Sequence, residues 1–212
     1  MKNSVLSSIL ILLLGGCSLS LHNTYKPSPP IPEKSKDSFS WFREDTGRYL
    51  FQSSISIFRN NYTGLLFIKP LDESRRILFI TETGIKIFDM EFFKTGDFKV
   101  HYLLEAMNRK SVVNTLGNDL SLMIYNIADN DAVKIMKDKK DGRLVVRSKD
   151  KTGNRYCIID DETGKVADLI RTGILTNKVK IKFYSGTGIL PDSIDISHCN
   201  LKLDIQLTRI NE

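Results

Sequence analysis

The sequence predicts a mainly β, α+β fold: an incomplete antiparallel β-barrel of about ten to eleven strands whose concave face is covered by helix. Three observations predict it. Runs rich in Leu, Ile and Phe follow one another between residues 62 and 92, and polar turns separate them. Turn residues then recur about every 8–12 residues through the second half of the chain. One segment, residues 108–126, instead places its apolar residues at helical spacing.

The first 16 residues are interpreted as a lipoprotein signal peptide. Lys2 precedes a short apolar run, and the tetrad Leu14-Gly15-Gly16-Cys17 follows that run directly. The run is too short to cross a bilayer, which needs about 20 residues. The tetrad resembles the lipobox of bacterial lipoproteins, which implies lipidation of Cys17, including an amide-linked acyl chain such as palmitate. An ordinary secretory signal is the alternative.

Residues 17–37 are predicted to form the lipidated N-terminus and a tether. Four prolines fall between residues 27 and 32, and such a segment favours an extended spacer. Ser18 stands where an Asp would retain a bacterial lipoprotein in the inner membrane. By resemblance to that sorting rule, we expect an outer-membrane lipoprotein that faces the periplasm.

The folded body is predicted to be one domain, residues 38–212, that begins with consecutive strands. Residues 48–59 alternate apolar and polar side chains, the three runs between 62 and 92 follow, and residues 98–104 form a short fifth strand. The runs contain consecutive apolar residues, so their middles need cover on both faces. The apolar residues predicted to point inward are Phe51, Ile55, Ile57, Leu65, Phe67, Phe79, Ile85 and Ile87.

Residues 108–126 are predicted to form an amphipathic helix that covers the sheet. Their apolar residues recur at three- and four-residue steps, which is the spacing of one helix face. Only the sheet can bury that face, so the helix is expected to act as a lid. The residues predicted to face the sheet are Val113, Leu116, Leu120 and Met123.

Strands return after the helix and continue to the C-terminus. Asp141-Gly142 is a strong hairpin signal between residues 133–136 and 144–147. Residues 178–184 alternate apolar residues with lysines, and residues 201–207 alternate four aliphatic residues with polar ones. These patterns predict that the second half extends the same antiparallel sheet.

No pattern indicates an enzyme, a metal site or a cofactor. The three histidines, His22, His101 and His198, lack the spacing of metal ligands. Neither a complete nucleophile motif nor a complete phosphate-binding loop is present. The net charge of +6 is not concentrated among aromatic residues, so nucleic acid is not an expected partner. Cys157 and Cys199 could form a disulfide in an exported protein or remain thiols.

The chain resembles the LolA/LolB-type family of bacterial lipoprotein carriers. The resemblance rests on Cys17, the amphipathic strands from Tyr49, the helix and two short segments, Gly84-Ile85-Lys86-Ile87-Phe88 and Leu190-Pro191-Asp192-Ser193-Ile194. It implies a half-barrel with an apolar cavity for acyl chains, lined by the inward strand residues and the lid residues named above.

Two functions therefore remain open. The resemblance implies a membrane-anchored lipoprotein that binds a lipid or a lipoprotein acyl chain and takes part in lipoprotein sorting. Its partners would be the membrane, reached through Cys17, and the acyl-chain ligand. The alternative is a non-enzymatic structural or accessory subunit of an envelope protein complex, with a solid core.

Overall fold

A computed structural model of the protein describes residues 24–29, 39–42, 47–127, 133–150, 153–173, 177–185, 190–199 and 201–210. In these ranges it contains one sheet of thirteen antiparallel strands and one α-helix, α1 (Lys110–Ile124). The predicted fold class, an incomplete antiparallel barrel covered by a helix, is confirmed, but the sheet has thirteen strands in place of the expected ten to eleven, in part because β1 (Tyr25–Pro27) lies in the segment predicted to be a tether. The predicted signal peptide, Cys17 and His22 lie outside the described residues. No helix in the described ranges is long and apolar enough to span a membrane.

The sheet is open and places the last strand beside the second one. Its order is β1-β7-β8-β9-β10-β11-β12-β13-β2-β3-β4-β5-β6, and each strand is antiparallel to its neighbours. The strand bounds are β1 (Tyr25–Pro27), β2 (Tyr49–Ile57), β3 (Asn60–Pro70), β4 (Ser74–Thr81), β5 (Lys86–Phe93), β6 (Phe98–Leu103), β7 (Lys134–Asp138), β8 (Leu144–Asp150), β9 (Gly153–Ile159), β10 (Val166–Thr172), β11 (Asn177–Tyr184), β12 (Ser193–His198) and β13 (Leu203–Arg209). A short 3₁₀ turn, Glu105–Met107, connects β6 to α1.

One row of apolar side chains crosses nine neighbouring strands in direct register. From β7 to β3 its members are Ile135, Val146, Cys157, Leu169, Ile181, Ile196, Ile205, Ile55 and Tyr62. Directly opposed residues of an antiparallel pair share a face of the sheet. The row therefore marks the concave face, and all nine residues belong to or pack against one apolar core. We call it the apolar row.

An aromatic segment before the first long strand closes part of this core. Phe39, Trp41 and Phe42 are all buried, as expected for a plug beside the tether. The indole of Trp41 donates a hydrogen bond of 2.8 Å to the carbonyl oxygen of Val166 and stacks on Phe183. The indole N–H is thus satisfied inside an apolar surrounding.

The interpretation of residues 17–37 as a pure tether is wrong at β1. This strand pairs with β7, and the buried Tyr25 ring lies 5.7 Å from the ring of Tyr156. Pro27 is tolerated because β1 is an edge strand, where a missing N–H costs no ladder bond. Proline content alone could not reveal this pairing, because the partner strand lies more than a hundred residues away. Residues 17–23 and 30–37 lie outside the described part.

Candidate functional site

The concave interior brings together most residues predicted to line a cavity. Helix α1 packs on the sheet, and eight of the predicted residues are no more than 2% exposed within one apolar cluster. They are Phe51, Ile55, Ile57, Phe79, Ile87, Leu116, Leu120 and Met123. Val113 is only half-buried, at the border of the helix face. The role of these residues in binding a ligand stays a prediction.

Three predicted inward residues lie elsewhere. Leu65 and Phe67 are half-buried on the convex face, because Leu66 and Ile68 take the concave positions of β3. Four apolar residues in succession carry no alternation, so the sequence could not fix which pair points inward. Ile85 is 56% exposed in the turn before β5. These three assignments to the inward face are wrong.

A carboxylate fastens the middle of α1 to the sheet. Asp119 is buried on the same side of the helix as Leu116 and Met123. Its Oδ2 accepts a hydrogen bond from Nε2 of His198 at the end of β12, and Nδ1 of His198 lies 2.5 Å from the carbonyl oxygen of Leu203. Both ring nitrogens face acceptor oxygens, which favours the doubly protonated imidazolium.

An arginine on the sheet completes this contact. Nη1 of Arg171 on β10 lies 3.3 Å from Oδ1 of Asp119, and its Nη2 donates a 2.7 Å hydrogen bond to the carbonyl oxygen of Asn118. Arg171 is 5% exposed, and its Nε finds no hydrogen-bond partner among the described residues. We call Asp119, Arg171 and His198 the latch, because they join α1 to two strands of the sheet.

The electrostatics of the latch follow from burial and from the shared carboxylate. Burial lowers the pKa of Arg171, and Asp119 opposes that effect. For His198, burial also disfavours the charged form. The hydrogen bond to Asp119, its negative charge and the contact with the Leu203 carbonyl together outweigh burial, so the pKa of His198 lies above its usual 6.5. The latch is thus a buried carboxylate held between two cationic side chains.

A second polar clamp holds the C-terminal end of α1. The buried guanidinium of Arg75 on β4 donates hydrogen bonds to the carbonyl oxygens of Ile124 and Phe42. It also lies 5.3 Å from the centre of the Tyr125 ring, whose hydroxyl donates to the carbonyl oxygen of Phe92 at 2.6 Å. The last carbonyls of a helix lack partners within the helix, so a cation at this point satisfies and stabilises its end.

A polar pocket of about 290 Å³ opens beside the latch. It lies between α1, the turn from β5 to β6, and the adjoining ends of β8, β9 and β10. Its cationic side chains are Lys94, Arg155 and Arg171, and its acidic ones are Asp97 and Asp150. The apolar core and this polar pocket therefore meet at the same stretch of helix.

The sequence did not reveal the latch, although the position of Asp119 in the helix is unusual. Asp119 falls three residues after Leu116 and four before Met123, so it interrupts the apolar stripe. A carboxylate on a buried helix face needs a partner. The partners could not be named, because Arg171 and His198 are 52 and 79 residues away in sequence.

The cysteines and acidic residues do not form a further site in the described ranges. Cys157 is a buried free thiol whose pKa is raised by burial, and Cys199 is an exposed free thiol. A disulfide between them is therefore absent. Among the described residues, no three His, Cys, Asp or Glu side chains are grouped to hold a metal ion.

No family model matches the sequence, and no curated protein matches it. Among solved structures, the chain is similar to the crystal structure of a DUF1329 family protein from Desulfovibrio piger, with a TM-score of 0.48 and 11% sequence identity. The similarity covers 79% of this chain and 86% of that chain. At this score and identity, the likeness supports no inference about function.

Proposed function

We propose that this protein is an outer-membrane-anchored, periplasm-facing lipoprotein that binds a lipid or a lipoprotein acyl chain between its concave sheet and helix α1. The observation that supports the proposal is the apolar row itself, a continuous apolar face on which α1 is the one α-helix that the described ranges contain. Strands are spaced about 4.8 Å apart, so the row is about 40 Å wide along the curved sheet. A helix is only about 10–12 Å across, and the 15 residues of α1 make it about 22 Å long.

The contacts that hold α1 on the sheet are of a kind that allows the helix to move away. The latch and the Arg75 clamp are polar contacts within an apolar interior, and buried ionic contacts carry a large desolvation cost. Such contacts add little net stability over an apolar contact of the same shape. They do fix one position of the helix and are lost together when it moves. Each buried CH₂ of an acyl chain contributes about 0.8 kcal/mol, which offsets the cost of displacing the helix.

The N-terminal sequence supports the membrane location. Cys17 stands at the cysteine position of a lipobox, and lipidation there would hold the domain at the membrane surface. A half-barrel held at the membrane surface would be close to acyl chains that leave or enter the bilayer. Lipoprotein sorting requires access to such chains. The proposal assigns the protein no catalytic step, metal or cofactor.

A structural or accessory lipoprotein of an envelope complex is the second candidate. The observation that favours it is the complete burial of Phe51, Leu116 and Leu120 in one continuous cluster. In this alternative the interior is a solid core and α1 never moves. The two candidates differ in whether the interior accepts a ligand.

The deciding experiment asks what the purified protein carries. The protein would be produced without its leader, with Cys17 replaced by Ser, and purified without detergent. Mass spectrometry of an organic extract should then detect bound lipid in amounts comparable to the protein. After removal of that lipid, the protein should bind a dansyl-labelled fatty acid, and palmitate should displace it.

Two matched variants test on which face of the sheet the ligand binds. Leu116→Trp enlarges a residue on the inner side of α1 and should reduce uptake of the dansyl probe. Leu65→Trp makes the same change on the convex face and should leave uptake unchanged. Absence of both extracted lipid and saturable probe binding would reject the proposal in favour of the solid core.

A further inference from the structure

The polar pocket contains two arginines in a cross-strand arrangement that is ordinarily unfavourable. Arg155 on β9 and Arg171 on β10 are directly opposed in the strand register, so their side chains share the concave face. Like charges directly opposite each other on neighbouring strands destabilise a sheet. Burial is the main cause of the lowered pKa of Arg171; the positive charge of Arg155 adds a smaller lowering effect, and the carboxylates of Asp119 and Asp150 oppose both. The fold therefore holds two positive charges together.

Each arginine also has an acidic neighbour. Nε of Arg155 lies 3.4 Å from Oδ2 of Asp150 and donates to the hydroxyl of Ser148 at 3.1 Å. The Asp119 carboxylate near Arg171 is shared with His198. The side chains that line the pocket carry three positive and two negative charges, which leaves one positive charge in excess.

A buried donor in the pocket wall also lacks a partner. Arg171 is 95% buried, since its exposure is 5%, and its Nε finds no acceptor in the described part of the chain. A buried donor without a partner is destabilising, and such groups are rare in folded proteins. A small anion in the pocket would neutralise the excess positive charge of its lining.

We propose that this pocket binds a phosphate group, with Arg155 and Arg171 as its principal ligands. Guanidinium groups bind phosphate oxygens through paired, charge-assisted hydrogen bonds. The donors come from several directions: two strands, Lys94 in the turn between β5 and β6, and Ser121 on α1. That distribution fits the tetrahedral oxygens of a phosphate better than the two coplanar oxygens of a carboxylate. The volume of about 290 Å³ suits a headgroup rather than an acyl chain.

The phosphate could belong to a lipid headgroup or to a small soluble phosphoester. The lipid case extends the proposed function, because the pocket adjoins α1 and would receive the head of a ligand whose chains enter the apolar interior. The pocket itself does not depend on that function. A soluble phosphoester can occupy it even if the interior is solid, so the two proposals can fail separately.

Isothermal titration calorimetry on the leaderless protein tests the pocket. The probes are glycerol 1-phosphate and dihexanoylphosphatidylglycerol below its micelle concentration, and acetate at matched ionic strength is the control anion. We expect saturable binding of at least one phosphate probe and none of acetate. Much tighter binding of the lipid would identify a headgroup as the ligand, and equal or tighter binding of glycerol 1-phosphate would identify a soluble phosphoester.

Arg155→Gln is the informative variant, because Arg155 lies outside the latch and its loss relieves the repulsion. It should weaken phosphate binding by about tenfold or more, the value of one charge-assisted contact. Arg147→Gln is the matched control: Arg147 sits on the neighbouring β8, where it donates to Asn154 and lies over the Tyr156 ring outside the pocket. This control should change the affinity by less than about twofold.

Three outcomes would overturn the proposal. The first is no binding of either phosphate probe by the parent protein. The second is acetate binding as tight as phosphate binding. The third is equal weakening by Arg155→Gln and Arg147→Gln, which would indicate attraction by general surface charge. Circular dichroism and thermal melts of both variants verify that each is folded.

Discussion

His198 on β12 and Asp119 on α1 form a buried ionic contact between residues 79 positions apart in sequence. The same carboxylate also contacts Arg171 on β10, so one side chain joins the helix to two strands. This arrangement explains how a 15-residue helix is held in one position on a broad apolar face. It also makes the stability of this helix position depend on the charge of His198.

The free energy of unfolding should fall as the pH rises above the ordinary pKa of histidine. The folded protein raises the pKa of His198 above 6.5, so folding favours the protonated ring. The resulting stability is fully present below about pH 6.5 and is lost as the pH rises through the raised folded-state value. Urea denaturation between about pH 5.5 and 9 measures this loss.

His198→Gln should remove that part of the pH dependence. His101→Gln is the control, because His101 lies at the sheet edge near Glu91, away from the latch. An unchanged pH dependence in His198→Gln would show that the latch does not titrate.

Gly64→Ala should destabilise the protein by about 1–3 kcal/mol, the usual cost of overpacking. A Cβ at residue 64 would lie 2.0 Å from the carbonyl oxygen of Ile80, and backbone cannot move aside as a flexible side chain can. Gly47→Ala is the control, since no atom lies within 4 Å of its added Cβ. Urea denaturation of both variants gives the comparison, and similar stabilities would contradict the close approach of β3 and β4.

A protein that begins at Ser38 should still unfold cooperatively, but with a lower Tm than one that includes β1. The truncation removes the pairing of β1 with β7 and the packing of Tyr25 on Tyr156. A loss of about 1–3 kcal/mol is expected from the buried aromatic side chain. For a chain of this size, that lowers Tm by about 2–4 °C per kcal/mol.

Tyr25→Ala should reproduce most of this change, whereas Lys26→Ala should not, because Lys26 is exposed on the same strand. An unchanged Tm in both the truncated protein and Tyr25→Ala would mean that β1 adds nothing to the stability of the sheet.

Cys17→Ala should abolish incorporation of labelled palmitate and leave an unprocessed precursor in cells that express the full-length protein. The reason is that lipid attachment and leader cleavage both require the lipobox cysteine. Cys199→Ala, which removes an exposed thiol of the folded domain, is the control and should be labelled as the parent is. Equal labelling of Cys17→Ala would exclude lipidation at this residue.

The sequence was informative where the pattern was local. Alternation from Leu201 to Leu207 predicted a final strand, and Leu203, Ile205 and Leu207 are buried in β13. Helical spacing predicted α1 within two residues at each end, because Leu116, Leu120 and Met123 define one face. Periodicity of side chains is sufficient evidence for these elements.

The sequence was uninformative where the decisive partner was distant. The short β1 could not be recognised, because its pairing with β7 leaves no local pattern. The opposition of Arg155 and Arg171 depends on the register of two strands, in which a shift of one residue would move a side chain to the other face. Sites built from such contacts become visible only in three dimensions.

Whether α1 is a lid is tested most directly by comparing the affinity of the dansyl-labelled fatty acid for the lipid-free parent protein and for Asp119→Asn. Loss of the latch should lower the stability of the closed state. A larger fraction of molecules would then be competent to bind, which tightens the apparent affinity. Asp141→Asn, which changes an exposed carboxylate paired with Arg143, is the control.

We predict that Asp119→Asn lowers the dissociation constant by about tenfold, which corresponds to about 1.4 kcal/mol of latch free energy, while its Tm falls. The parent protein and Asp141→Asn should bind the probe with equal affinity. Weaker binding by Asp119→Asn than by the parent protein, or no saturable binding by any of the three, would contradict the lid.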